Sequence, residues 1–290
     1  NAMTGVAVGA ALAGLKPVMV HQRLDFFLLA MDQLVNSAAK WRYTFGEGNH
    51  VPITIRLIIG RGWGQGPTHS QNLQAWFAHI PGLKVVAPTT PEDARGMLLS
   101  AIHDPNPVVF LEHRWLHNGV GEVPGGDVRI PLGVAKTLRS GDDLTIVAQS
   151  FLTAEALRAA DFLAERGVRP DIIDLRTIKP IDWDCIFASV ERTGRLLVLD
   201  PAFATGSVAG EIIARVAMER FSALRCAPVR LAMPDVPEPT SFGLTRGFYP
   251  GAREIAAASL QLLDRPTDGI EVLAEAELHD VPGPWFKGPF

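Results

Sequence analysis

Apolar and polar positions follow two rhythms along this chain. In the first half, short and nearly continuous apolar runs, "PVMVHQ", "VPITIRLII", "LKVVAP" and "PVVFLEH", take turns with stretches whose apolar residues recur at helical spacing, "FFLLAMDQLVNSAAKWRY", "SQNLQAWFAHI" and "PEDARGMLLSAI". Strand and helix in alternation predict a parallel sheet with helices on both faces, and the unbroken apolar strands agree with burial on both sides. From about Asn118 to Leu132 the text becomes "NGVGEVPGGDVRIPL", rich in Gly and Pro, which reads as a linker. The rhythm then returns with the strands "DLTIVAQS", "DIIDLRT", "RLLVLDP" and "VRLAMP", and with helices through "AEALRAADFLAERG", "WDCIFASVER" and "SVAGEIIARVAMERF". The expected fold class is therefore α/β, with two three-layer domains. After about Asp264 the pattern fades into a Pro/Gly-rich tail that would pack on a neighbour or stay loose. The opening "NAMTGVAVGAALAGLKPVMV" is a small-residue helix with no capping segment before it, and Asn1 and Ala2 ahead of Met3 read as a tag remnant.

Composition narrows the function classes. With 290 residues, 47% of them hydrophobic and 20% charged, the chain can bury a large core and has length for two domains. A net charge of −4 gives no cationic footprint for DNA or RNA. Cys185 and Cys226 are far apart and form no C-x-x-C pair, so neither a disulfide framework nor a zinc site is suggested, and a cytoplasmic setting fits. No uninterrupted apolar stretch reaches the ~20 residues of a membrane span, and the N-terminal run lacks the basic leader of a signal peptide.

The most unusual text is "IIGRGWGQGPTHSQ", where a strand runs into Gly60, Gly62, Gly64 and Gly66 and then into Thr68, His69, Ser70 and Gln71 at an expected helix start. These glycines do not make G-x-G-x-x-G, a P-loop Lys-Ser/Thr is absent, and no acidic residue ends "LKVVAP" to hold a ribose. Two readings remain: a surface loop whose glycines permit positive φ, or a loop that closes over a ligand and presents His69 for proton exchange. Beyond the first strand lie His21, Asp25 and Phe26, for which the plain reading makes Phe26 core and Asp25 a helix cap. The segment "ATGSVAGE" contains no G-x-S-x-G, and no His/Asp/Glu cluster has metal-ligand spacing.

Taken together, "GVAVGAALAGLKPV", "DQLVNSAAKWRY", "HSQNLQAWFAHIPGLKVVAPTTPEDARGMLLSAIHDPNPVVFLEH", "IPLGVAKTLRSGDDLTIVA" and "DIIDLRTIKPIDWDCI" resemble the beta subunit of thiamine-diphosphate-dependent 2-oxo acid dehydrogenases of the pyruvate and branched-chain type, in the transketolase superfamily. The resemblance runs from about Gly5 to about Leu263. It implies a pyrimidine-binding domain over 3–122, a linker over 123–135, a transketolase C-terminal domain over 136–264 and a tail over 265–290. It also implies thiamine diphosphate and Mg²⁺ shared with a separate alpha-type subunit, because the superfamily's Gly-Asp-Gly motif with its downstream Asn is not in this sequence.

By position, Phe26 resembles the aromatic that stacks on the aminopyrimidine, and His69 the active-site histidine. Ile53, Ala101, Ile102, Asp104 and Asn106 match the positions around a structural potassium ion. The implied assembly is a homodimer that joins alpha-type subunits in a heterotetramer, inactive as the single chain, with a lipoyl-bearing acyltransferase as a further partner and neither nucleic acid nor membrane involved. The family's "SE" segment, whose glutamate bonds the pyrimidine nitrogen, precedes the "GVAVGAALAGL" helix and is not in this sequence. That departure keeps two alternatives open: a non-catalytic truncated homologue serving assembly, or the C-terminal half of a split transketolase-like enzyme.

Overall fold

The computed structural model describes residues 1–61 and 64–273. The N-terminal half comprises helix α1 (Ala2–Leu12), strand β1 (Val18–His21), helix α2 (Leu24–Phe27), helix α3 (Ala39–Phe45), strand β2 (Thr54–Ile59), helix α4 (Gln74–His79), strand β3 (Lys84–Val86), helix α5 (Pro91–His103) and strand β4 (Val108–His113). The C-terminal half follows with β5 (Lys136–Arg139), β6 (Leu144–Ala148), α6 (Phe151–Ala164), β7 (Pro170–Asp174), β8 (Thr177–Lys179), α7 (Trp183–Thr193), β9 (Leu196–Phe203), α8 (Val208–Glu219), β10 (Val229–Met233), α9 (Phe242–Thr245) and α10 (Ala252–Leu262).

Two five-stranded sheets result, in the orders β1-β2-β4-β3-β8 and β10-β9-β6-β7-β5. Strands β1 to β4 pair in parallel, as do β10, β9, β6 and β7, while β8 and β5 join antiparallel. The first sheet is thus finished by β8, a strand lent from the second half. The period-two alternation of strands sorts residues between layers. On β4, Val109 and Leu111 enter a central core while Val108 and Phe110 face Met97 and Ala101 of α5. On β9, Leu196 and Val198 enter the same central core and Leu197 and Leu199 face α6 and α10. That central layer is shared by both sheets, so the two halves are welded by apolar packing.

Several expected elements shift. The single helix expected over "FFLLAMDQLVNSAAKWRY" is α2, a 3₁₀ turn (Leu28–Ala30), a π segment (Gln33–Ala38) and α3. Widened turns of this kind are frequent at functional sites. Helix α4 begins at Gln74, not at Thr68–Gln71, so His69, Ser70 and Gln71 stay in the loop. The apolar pattern of the sequence does not mark β5, β8 or α10. Residues 117–135 contain no helix or strand, and Ile130 of that segment donates its N–H to the Gly96 carbonyl on α5 at 3.1 Å. The tail beyond residue 273 lies outside the described residues.

Candidate active site

Strand β1 and strand β2 both end at the carboxyl edge of the first sheet, where ligands collect in open α/β folds. After β1, Leu24 and Phe27 of α2 are fully buried, which turns the intervening Phe26 outward, 50% exposed. Phe26 is therefore not the core residue of the plain reading. Nor does Asp25 cap α2: Arg23 occupies that position, and Asp25 accepts a hydrogen bond from Gln71 Nε2 at 2.7 Å.

After β2 the chain turns at Gly60 (φ +84°), where a Cβ would collide with the His113 ring. This close approach requires glycine. The loop returns through Gly64 and Gly66 to His69, whose N–H bonds the Gly66 carbonyl at 3.2 Å. His69 meets Phe26 edge to face, with ring centroids 5.1 Å apart and planes at 85°. The Thr68 hydroxyl lies 2.9 Å from His69 Nδ1, which leaves Nε2 as the nitrogen for a ligand. The structure thus brings together the two residues singled out from sequence, and adds Asp25 and Gln71 behind them. Gly62 and Trp63 of the same loop lie outside the described residues.

Two further groups border the glycine loop. Buried Arg23 donates to the Gly60 carbonyl at 2.9 Å and to Gln65, tying the start of α2 to the loop. Burial, and then the neighbouring Arg114, lower its pKa to about 10, which still leaves it charged. His113, stacked on Phe151 at 5.1 Å, is held neutral: burial first, then Arg61, His117 and Arg23, push it down to about 3. It is a packing histidine and no proton donor at neutral pH. Across the junction, Gln74 Nε2 donates to the buried Asp200 carboxyl at 2.7 Å, and Arg176 pairs with the buried Asp93 at 2.7 Å.

The five positions matched to a potassium ion converge at the opposite end of the sheet. Ile53 precedes β2, Asn106 precedes β4, and Ala101 and Ile102 close α5. The Ile53 carbonyl accepts from Val108 N at 3.0 Å and the Ala101 carbonyl from Asp104 N at 3.2 Å. Asp104 accepts from Asn106 N and is also ion-paired with Lys84, so an ammonium already borders this position. Among the described residues no group of three His, Cys, Asp or Glu side chains could hold a metal ion. Cys185 and Cys226 are both free.

Residues 1–118 match the family described as transketolase, pyrimidine binding domain, and residues 133–255 that described as transketolase, C-terminal domain. The chain is 43% identical to the acetoin:2,6-dichlorophenolindophenol oxidoreductase subunit beta of Cupriavidus necator, over 89% of this chain and 77% of the relative. It is also 44% identical to the mitochondrial pyruvate dehydrogenase E1 component subunit beta-1 of Arabidopsis thaliana, over 88% of this chain and 72% of the relative. The chain belongs to this family of E1-type beta subunits. Among solved structures, a protein described as a split gene transketolase, inactive beta4 tetramer, superposes with a TM-score of 0.74 at 24% identity, covering 91% of this chain and 81% of that one, and so shares the fold. In this beta-type chain Arg23 and His113 go unmarked in the sequence pattern, and Gln71 is marked only as part of an expected helix start. A signal for Arg23 lies in its place between a strand end and a candidate aromatic; His113 carries none that spacing reveals.

Proposed function

We propose that this chain is the beta-type subunit of a thiamine-diphosphate-dependent enzyme that acts on a 2-oxo acid or on acetoin together with a separate alpha-type subunit. The observation that carries this reading is the Phe26–His69 face at the carboxyl edge of the first sheet, 5.1 Å between rings. The residues present fit one side of the cofactor: Phe26 offers a half-exposed ring for stacking, while no described carboxylate cluster could hold Mg²⁺ and a diphosphate. The bound cofactor supplies the nucleophilic carbon and electron sink that cleavage next to a carbonyl requires. This chain's part is to hold a ring with Phe26 and to move a proton at His69, whose position is fixed by Thr68 and by Gly66. Metal and diphosphate ligands come from the alpha-type subunit in this reading, and a potassium ion at the Asp104 turn would be structural.

Exposed apolar residues supply the assembly surface. Met3 and Val6 on α1, Val18 and Val20 on β1, and Leu29 beyond α2 all face outward. A surface this apolar fits a second copy of the chain, or an alpha-type subunit, better than water. No helix among the described residues is long and apolar enough to cross a membrane. The test is dichlorophenolindophenol reduction with pyruvate or acetoin as donor, by this chain alone, by an alpha-type subunit alone and by the mixture. Turnover in the mixture only supports the proposal; equal turnover by this chain alone, or a mixture that forms a complex yet never turns over, contradicts it.

A further inference from the structure

The loop after β10 reads "PDVPEPT", and its burial is uneven. Pro234, Asp235, Val236 and Pro237 are exposed, whereas Glu238 is 2% exposed. This is no accident of a floppy loop. Asp235 anchors its base by accepting from Thr205 N at 2.9 Å and Thr205 Oγ1 at 2.6 Å. Pro237 and Pro239 fix their own φ and hold Val236 and Glu238 extended. Further along, Thr240 lies against the glycine loop: a methyl at Gly64 would come 3.0 Å from its carbonyl oxygen, and one at Gly66 would strike its hydroxyl. Glu238 thus sits in a loop of the C-terminal half whose Thr240 packs on the glycine loop of the Phe26–His69 site, with its own Oε1 buried and without a hydrogen bond. An acid buried in this way is costly unless it keeps its proton or meets a partner.

We propose that Glu238 is a positioning residue of the Phe26–His69 site, a buried carboxyl lent by the C-terminal half that acts through Asp25 and the glycine loop. The inference rests on the reading of Phe26 and His69 as that site. Burial, and then the like charge of Asp25, push Glu238 up to about 7, against a bond from its own backbone. Other charges nearby are already engaged. Arg23 is bonded to Gly60 and Gln65, Arg61 lies between the Trp115 and Tyr249 rings, and Asp235 is held by Thr205. While Glu238 is neutral, its loop stays packed through Thr240 on Gly64 and Gly66, and the Gly66 carbonyl sets the His69 backbone. Once it ionises, its charge repels that of Asp25 and the loop is driven off. His69 then loses its seat without either residue touching the other.

The experiment is a carboxyl-carbon, amide and imidazole NMR titration of the full chain from pH 5 to 9, for wild type, Glu238→Gln and Asp25→Asn. In the wild type, one glutamate should titrate near neutrality and disappear in Glu238→Gln. Asp25→Asn should move that titration down, because a like charge that opposes ionisation is removed. The Gly66 amide resonance should follow the same inflection in the wild type and lose it in Glu238→Gln, and the His69 ring shifts should lose the part that tracks Glu238 in the wild type. A Glu238 that titrates in the ordinary glutamate range, is unmoved by Asp25→Asn, or leaves Gly66 and His69 unaffected would overturn the proposal. Cofactor and partner are absent from this titration, so failure of the functional proposal would show separately, as a complex without turnover.

Discussion

In the N-terminal half the edge strand β1 leaves Val18 and Val20 40% and 60% exposed, whereas in the C-terminal half β6 and β7 are buried along their whole length. Helices α6 and α10 cover one face of the second sheet, and α7 and α8 close the other against the shared core. The halves also differ in what they present at the junction. The first half displays Phe26 and His69 at its surface, while the second turns Asp174, Asp200 and Glu238 inward, toward the junction. One half is shaped to be completed by other molecules; the other is complete in itself and lends stiffness and buried charge to its neighbour.

The comparison breaks first at His69. In an assembled complex, His69→Ala should lower turnover by a factor on the order of 10²–10⁴, the usual loss for one acid–base group, with sedimentation unchanged. Adjacent phenylalanines sharpen it next. Fully buried Phe27, packed against His21 and Phe77, should cost about 3–5 kcal/mol of urea stability on replacement by Ala. Phe26→Ala, one residue away, should leave stability nearly unchanged and weaken cofactor binding in the complex by ~1–3 kcal/mol, taking base stacking as a guide. Equal stability losses would mean that the two rings are not divided between core and site.

A third test belongs to the second half. Asp174, bonded by Thr153 Oγ1 and Arg176 N, is raised by burial from 3.8 to about 7. The folded state therefore binds this proton more tightly than the unfolded chain, so its stabilising contribution is full below about pH 4 and lost as pH rises through 7. At most this is on the order of 4 kcal/mol. Asp174→Asn keeps an acceptor for both bonds and should gain stability relative to wild type between pH 5 and 8; a pH-independent difference would contradict the assignment. The smallest stability effect is expected on β1. Val20→Lys should change unfolding free energy by no more than about 0.5 kcal/mol, as surface changes do, yet weaken association, because edge charges oppose pairing.

Much of this layout was legible because burial imposes periods on sequence. The strands β1 to β4 and β6, β7, β9 and β10 stood out as apolar runs, since each is covered on at least one face. Strands β5 and β8 did not, being short antiparallel edges with a mixed burial pattern. Helix α10 hid in "AREIAAASLQLL", where Ala and Ser fill buried positions that Leu or Ile would have marked, and its start is signalled only by Glu254 bonding back to Gly251 N. At the site, Phe26 and His69 were found through resemblance, whereas spacing alone left them ambiguous. Glu238 could not be found that way: nothing in "VPEP" says that the acid between two prolines points inward.

The central claim is that this chain holds one side of a shared cofactor site. It is tested most directly by calorimetric titration of thiamine diphosphate with Mg²⁺ into the chain alone and into its complex with an alpha-type subunit. The account predicts weak or undetectable binding by the chain alone, and tight, Mg²⁺-dependent binding by the complex that Phe26→Ala weakens. Tight Mg²⁺-dependent binding by the isolated chain, or binding by the complex that ignores Phe26, would contradict it.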